Sequence, residues 1–188
     1  MTSPPRPPGR PRAGIDDEVF AATLKTVDEL GYAGATMDRI AAAAGVAKTT
    51  LYRRWPSKGA LITDCLIHAF GPLPLDSDDP IEAAIGWLAG KISEPGVGAA
   101  FAGVFVDAYS DPTLRELLST RFQAPYLEAL QAKLGQPEAK ILLFIDVVAG
   151  TMLHRMGIAG APMTASDVTA LTEMVLRHFT DERPPRTR

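Results

Sequence analysis

Apolar residues recur at helical spacing through most of the chain, and the breaks between these stretches fall at glycines, prolines and capping residues. Over residues 17–30, Phe20, Ala21, Leu24, Val27 and Leu30 share a face, with Asp16 placed to cap the helix and Ile15 to staple onto Phe20. Gly31 stops it. Thr36 caps a second helix with Met37, Ile40, Ala41 and Ala44 inward, and Gly45 ends that one by supplying a left-handed residue. A third helix starts near Ala47. Ala47, Leu51 and Trp55 lie four apart and face inward, which leaves Lys48, Thr49, Tyr52 and Arg53 on the outward face. A fourth runs from Ser57 to about Phe70, with Leu61, Ile62, Cys65, Leu66 and Ala69 on its apolar side.

The segment at 71–80, GPLPLDSDDP, is the clearest break. Asp79, Pro80 and Glu82 then start a fifth helix, which continues to about Ser93. Pro95, Gly96 and Gly98 predict a turn before a sixth helix over 99–110, and Asp111 with Pro112 opens a seventh reaching about Leu134. Pro125 removes a hydrogen bond within it, so a kink or break is expected there. Pro137 opens an eighth helix to about Gly157, apolar around most of its circumference between Ile141 and Met156. Thr164 and Asp167 cap a ninth, striped by Val168, Leu171, Val175 and Phe179. The pattern contains no convincing strand. It predicts an all-α protein of about nine helices, divided into an arm over 1–14, a helix-turn-helix domain over 15–70 that includes a connecting fourth helix, and a second helical domain over 71–183.

At 188 residues and 46% hydrophobic content, the chain is long enough to bury a core without staples. Its single cysteine, Cys65, excludes an internal disulfide, and no Cys or His spacing suits a metal. The uninterrupted apolar run 141–145 is too short to span a membrane, so a cytoplasmic protein without cofactor is expected. Catalysis finds little support: there is no G-x-S-x-G and no phosphate loop, and His68, His154 and His178 have no paired nucleophile. The net charge of −3 changes meaning once divided, because residues 1–70 carry nine Lys or Arg against seven Asp or Glu, and residues 71–188 carry ten against fifteen. Between Arg39 and Lys58 there are five basic residues and no acidic one, a bias that suits phosphate. A solvated basic hairpin is the plainer alternative.

The residue order goes further. Gly45, Val46, Thr50, Leu51, Tyr52, Trp55, Pro56, Ser57 and Lys58 reproduce a turn glycine, valine, T-L-Y, aromatic, proline and S-K pattern, and the stretch closely resembles the helix-turn-helix of TetR-type transcriptional regulators. That resemblance implies a homodimer on a palindromic double-stranded operator, acting as a repressor. Lys48, Thr49, Tyr52 and Arg53 would meet bases or nearby phosphates, and Thr36, Thr50 and Lys58 would hold the backbone. It further implies dimerisation through the last two helices, with Ile145, Val148, Met152, Leu171, Val175 and Phe179 as interface candidates. A fully intramolecular eighth helix is the alternative. Helices five to eight would enclose a small-molecule effector, with Trp87, Phe101, Phe105, Tyr109, Phe122, Tyr126, Met152 and His154 as candidate contacts of a largely apolar ligand. A DNA-binding regulator of the same type without such a ligand stays open. Gly59 and Ala60 depart from the family, which commonly has an acidic residue there. In the arm, Pro8 to Arg12 is similar to an AT-hook core, placing Arg6, Arg10 and Arg12 for a narrow minor groove, or else forming only a solvated tail.

Overall fold

The computed structural model describes residues 12–180, which form helices joined by short turns. Nine helices follow one another among the described residues: α1 (Arg12–Gly34), α2 (Met37–Ala43), α3 (Lys48–Arg54), α4 (Lys58–Phe70), α5 (Pro80–Ile92) and α6 (Val97–Ser110). The continuous rod α7 is built of Pro112–Leu117, a π-helical turn Leu118–Gln123 and Ala124–Leu134. Then come α8 (Glu138–His154, with a π-helical end Arg155–Ala159) and α9 (Ala165–Thr180).

The first helix begins earlier than its capping signals predict. Asp16 lies inside α1, so it is no cap; its carboxylate instead accepts from Arg54 Nη2 at 2.6 Å, tying α1 to the end of α3. Arg12 opens this helix and so does not belong to an extended arm, while Arg6 and Arg10 lie outside the described residues. Gly31 breaks the helix as expected, with φ of 69° and ψ of 166°, before a last turn to Gly34.

A continuous core runs the length of the molecule. Val19, Val27, Ile40, Leu51 and Trp55 join through the fully buried face of α4 to Ile85, Phe101, Val104 and Met152. The connector before Asp79 therefore marks a break in the chain but not in the packing. Two close approaches weld the halves together. A Cβ at Gly59 would stand 2.7 Å from a Leu114 methyl, so the unusual glycine at the start of α4 is where α7 comes nearest. On α6, a Cβ at Gly103 would meet the Tyr32 ring at 2.0 Å, and the amide of Gly96 is capped by Asp28 Oδ1 of α1 at 3.1 Å.

Pro125 does not end α7. The backbone stays right-handed helical at Gln123 and Ala124, and the π-helical turn falls immediately upstream of the proline. A widened turn is one way for a helix to take up a residue that lacks an N–H and crowds the preceding carbonyls.

The eighth helix carries two apolar faces, only one of which is core. Ile141, Phe144, Val148 and Met152 are buried, whereas Leu143 and Val147 stay 47% and 39% exposed. Leu171 and Val175 of α9 are also buried and Met174 is 67% exposed. This corrects the expected interface. Val148, Met152, Leu171 and Val175 belong to the chain's own interior, Ile145 is half-buried against it, and the Phe179 side chain lies outside the described residues. A second correction concerns length: Glu138–Ala159 forms a 22-residue helix with mean hydropathy 1.6, long and apolar enough by length and composition to cross a membrane, which the short uninterrupted run conceals. In this fold its buried face packs into the common core.

Thr164 and Asp167 cap α9 as the sequence predicts. The Asp167 carboxylate accepts from Thr164 N at 2.8 Å, from the Thr164 hydroxyl at 2.7 Å and from Arg155 Nη2 at 2.8 Å. The Thr164 bonds foremost, then Arg155, hold its carboxyl below the usual range.

Candidate nucleic-acid interface and ligand cavity

The helix-turn-helix is built by local signals. The Thr36 hydroxyl accepts from Arg39 N at 3.3 Å at the start of α2, Gly45 supplies φ of 65° after its end, and Val46 N returns to Ala41 O at 3.0 Å. Leu51 and Trp55 then anchor α3 at 1% and 5% exposure. Ala47, expected inward, is exposed as the N-cap residue. Opposite the anchors, Lys48, Thr49, Tyr52 and Arg53 are exposed and Thr50 is half-buried. Lys48 is ion-paired to Asp38 of α2, an exposed pair that yields cheaply to a phosphate.

Lys58 has a different setting from the one expected. Its Nζ donates to the Tyr32 carbonyl at 3.1 Å and lies 3.8 Å from the centre of the Tyr32 ring, so it fixes the end of α1 onto the start of α4. Arg39, which no pattern singled out, does the same for Gly34 O at 2.8 Å.

Between α4, α5, α6, α7 and α8 lies a cavity of about 140 Å³. Trp87, Phe101, Phe105, Phe122 and Tyr126 line it as the sequence predicts, joined by Phe70 and Phe144. Phe70 is the hub of this wall, with ring centroids 5.5 Å from Trp87, 5.8 Å from Phe101 and 5.2 Å from Phe122. The Tyr126 hydroxyl donates to Gly71 O at 3.0 Å, and burial pushes its pKa up to about 12. Three candidates do not line the cavity. Tyr109, one turn past Phe105, has run out beyond the rim and is 86% exposed; His154 is exposed on α8; Met152 is fully buried behind the wall.

Residues 19–65 match the family of bacterial regulatory proteins, tetR family. The chain belongs to the TetR family. This regulator is a DNA-binding helix-turn-helix protein and not an enzyme. It is 29% identical to the uncharacterized HTH-type transcriptional regulator Rv1556 of Mycobacterium tuberculosis over 176 residues, which cover 86% of this chain and 85% of the relative. The crystal structure of the TetR family transcription regulator SCO0332 shares its fold at a TM-score of 0.64 and 28% identity, covering 90% of this chain and 99% of that one. The multidrug binding protein EbrR, solved with imidazole, shares the fold at a TM-score of 0.62 and 18% identity, covering 95% and 100%.

In this TetR-family chain, two sets of contacts run from the cavity wall to the DNA-reading unit. On α7, Phe122 faces the cavity, while its neighbour Arg121 pairs with Asp64 of α4 at 2.9 Å. The other oxygen of Asp64 accepts from Trp55 Nε1 at 2.9 Å, at the end of α3. On α6, Phe101 and Phe105 face the cavity, while Asp107 accepts from the Tyr32 hydroxyl at 2.6 Å. Burial above all, then that hydrogen bond to Asp107 and its charge, raise the Tyr32 pKa, so the phenol stays a donor at any ordinary pH. Neither set was legible in the sequence: Asp64 and Arg121 are 57 positions apart and carry no motif.

Proposed function

We propose that this protein is a dimeric repressor of a palindromic operator, released from DNA by a small, largely apolar molecule bound in the cavity, and that it acts in the cytoplasm, where chromosomal operators lie. The observation that carries the effector half is the adjacency of Phe122 in the cavity wall and Arg121 on the Asp64–Trp55 bridge. A molecule that displaces Phe122 must move or strain the π-helical turn, and that turn holds the C-terminal end of the recognition helix. EbrR, which shares this fold, is a multidrug binding protein, which supports reading a cavity in this fold as an effector site. Two recognition helices engage one face of DNA when their centres lie about 34 Å apart, so a small tilt of each head is enough to lower affinity.

On the DNA side, Thr49→Ala is expected to change which operator sequences are preferred, because its hydroxyl lies on the outward face of α3. Arg53→Ala is expected to weaken all sequences alike and to flatten the salt dependence by about one unit of slope for each phosphate that is no longer neutralised. Gel-shift titrations of a randomised operator pool at several salt concentrations measure both. Unchanged preference and unchanged slope would mean that α3 is not the reading element.

On the effector side, Arg121→Ala should leave a ligand's affinity for the free protein within about twofold and reduce its ability to release operator, because coupling is the difference in ligand affinity between the two states. Fluorescence-anisotropy titrations of ligand with and without operator read that difference directly. If no ligand that stabilises the protein thermally loses affinity in the presence of operator, the regulator is not controlled through this cavity.

A further inference from the structure

The polar content of the cavity wall selects a class of ligand. Among the residues lining it there is one carboxylate, Asp146 on α8, and no Lys, Arg or His. Asp146 is exposed, so it sits at the mouth, whereas the interior beyond it is built from aromatic rings. The Tyr126 hydroxyl proton is already engaged by Gly71 O. A bound anion would thus face a like charge and the negative faces of several rings, with no cationic side chain to compensate. A cation gains from both: attraction to the carboxylate, and attraction to ring faces that strengthens as water is excluded. The volume sets the size. About 140 Å³ is close to the roughly 150 Å³ of an apolar cavity that admits benzene, so the dry part of the site holds about one aromatic ring.

We propose that the cavity takes a small arylalkyl ammonium ion, its ring between Trp87, Phe101 and Phe122 and its ammonium group directed to Asp146 at the mouth. The proposal rests on the reading of this cavity as the effector site, and adds to it the charge and size of the effector.

Three molecules of nearly equal shape test it on the full chain: phenethylammonium, 2-phenylethanol and phenylacetate, titrated by calorimetry and ligand-observed NMR at constant ionic strength. The ammonium should bind at least tenfold more tightly than the alcohol, and the acid more weakly than either. In Asp146→Asn, a surface substitution that leaves the core untouched, the ammonium's advantage over the alcohol should shrink at least threefold, the remainder being the attraction to the ring faces. Equal binding of ammonium and alcohol to the unsubstituted protein overturns the proposal, as does an advantage that is undiminished in Asp146→Asn. If the alcohol binds and releases operator while the ammonium has no advantage, the charge assignment falls and the inducible regulator stands. Absence of binding by all three overturns the size and charge assignment, and operator release by some larger apolar molecule would then still uphold the regulator.

Discussion

Gly103→Ala is expected to destabilise the protein by about 3 kcal/mol and to lower its melting temperature by roughly 6 to 12 °C, a large effect for one methyl group. The added Cβ would lie 2.0 Å from Cγ of Tyr32 and 2.3 to 2.4 Å from the next ring atoms. These are ring atoms close to the backbone, not the free end of a flexible side chain, so the whole ring must leave. Its departure breaks the 2.6 Å bond to Asp107 and takes the ring away from Lys58, so overpacking is compounded by the loss of a hydrogen bond to a charged group, about 1.5 to 3 kcal/mol on its own. Gly96→Ala should be at least as severe, since its Cβ would meet the Leu24 carbonyl oxygen at 2.0 Å and the residue holds φ of 75°. Gly90→Ala is the control. It lies exposed within α5 with open space around it, and alanine there should stabilise by about 0.5 to 1 kcal/mol. Urea denaturation followed by circular dichroism measures all three, and a Gly103→Ala protein as stable as the parent would mean that α1 and α6 are not in this close contact.

What the sequence makes legible divides along the line between local and distant causes. The helix-turn-helix can be read almost residue by residue because its determinants are neighbours: the Thr36 cap, the positive φ of Gly45, and the four-residue spacing of Leu51 and Trp55. The same holds for the starts of α5 and α7, where Asp79 and Asp111 cap helices that open on proline. Readings failed where a partner distant in sequence decides the outcome. Asp16 has the chemistry of a cap, but Arg54 claims its carboxylate and the helix continues upstream to Arg12. Lys58 carries the charge for a phosphate, and what the sequence does not show is that the end of α1 also lies within its reach. Gly59 looks like a loose first turn until Leu114 is seen against it. In the cavity the aromatic residues Trp87, Phe101, Phe105, Phe122 and Tyr126 do converge, whereas Tyr109 shares the helical spacing of Phe105 and is carried past the rim by one further turn.

The eighth helix poses that problem most sharply, because apolar residues on both of its faces give a periodicity analysis nothing to choose between. The structure makes the choice, and the result bears on operator affinity. With Val148 and Met152 turned into the core, the surface left over is a stripe of Leu143, Val147, Gly150 and His154 at three- and four-residue spacing, and Met174 of α9 is exposed as well. Two such helices from each of two copies, related by a twofold axis, would cover the stripe in a four-helix arrangement. Val147→Glu is therefore expected to yield a folded monomer, with helical content retained because the side chain points away from the core. Val148→Glu, one position on, should instead unfold the chain by burying an unpaired charge. The cost to DNA binding follows from linkage of the two heads: once a partner no longer holds the second recognition helix over its half-site, affinity for a palindromic operator should fall roughly 100- to 10,000-fold, while affinity for a single half-site stays within a few-fold. Gly150 gives an independent reading. Among the described residues, nothing beyond its own turn of helix lies within 4 Å of a Cβ there, so leucine costs an isolated protomer little, but it would obstruct a helix crossing at that point. Light scattering and operator titration of the two variants decide the matter: if Val147→Glu and Gly150→Leu both remain dimers with full operator affinity, the two heads are joined through some other surface.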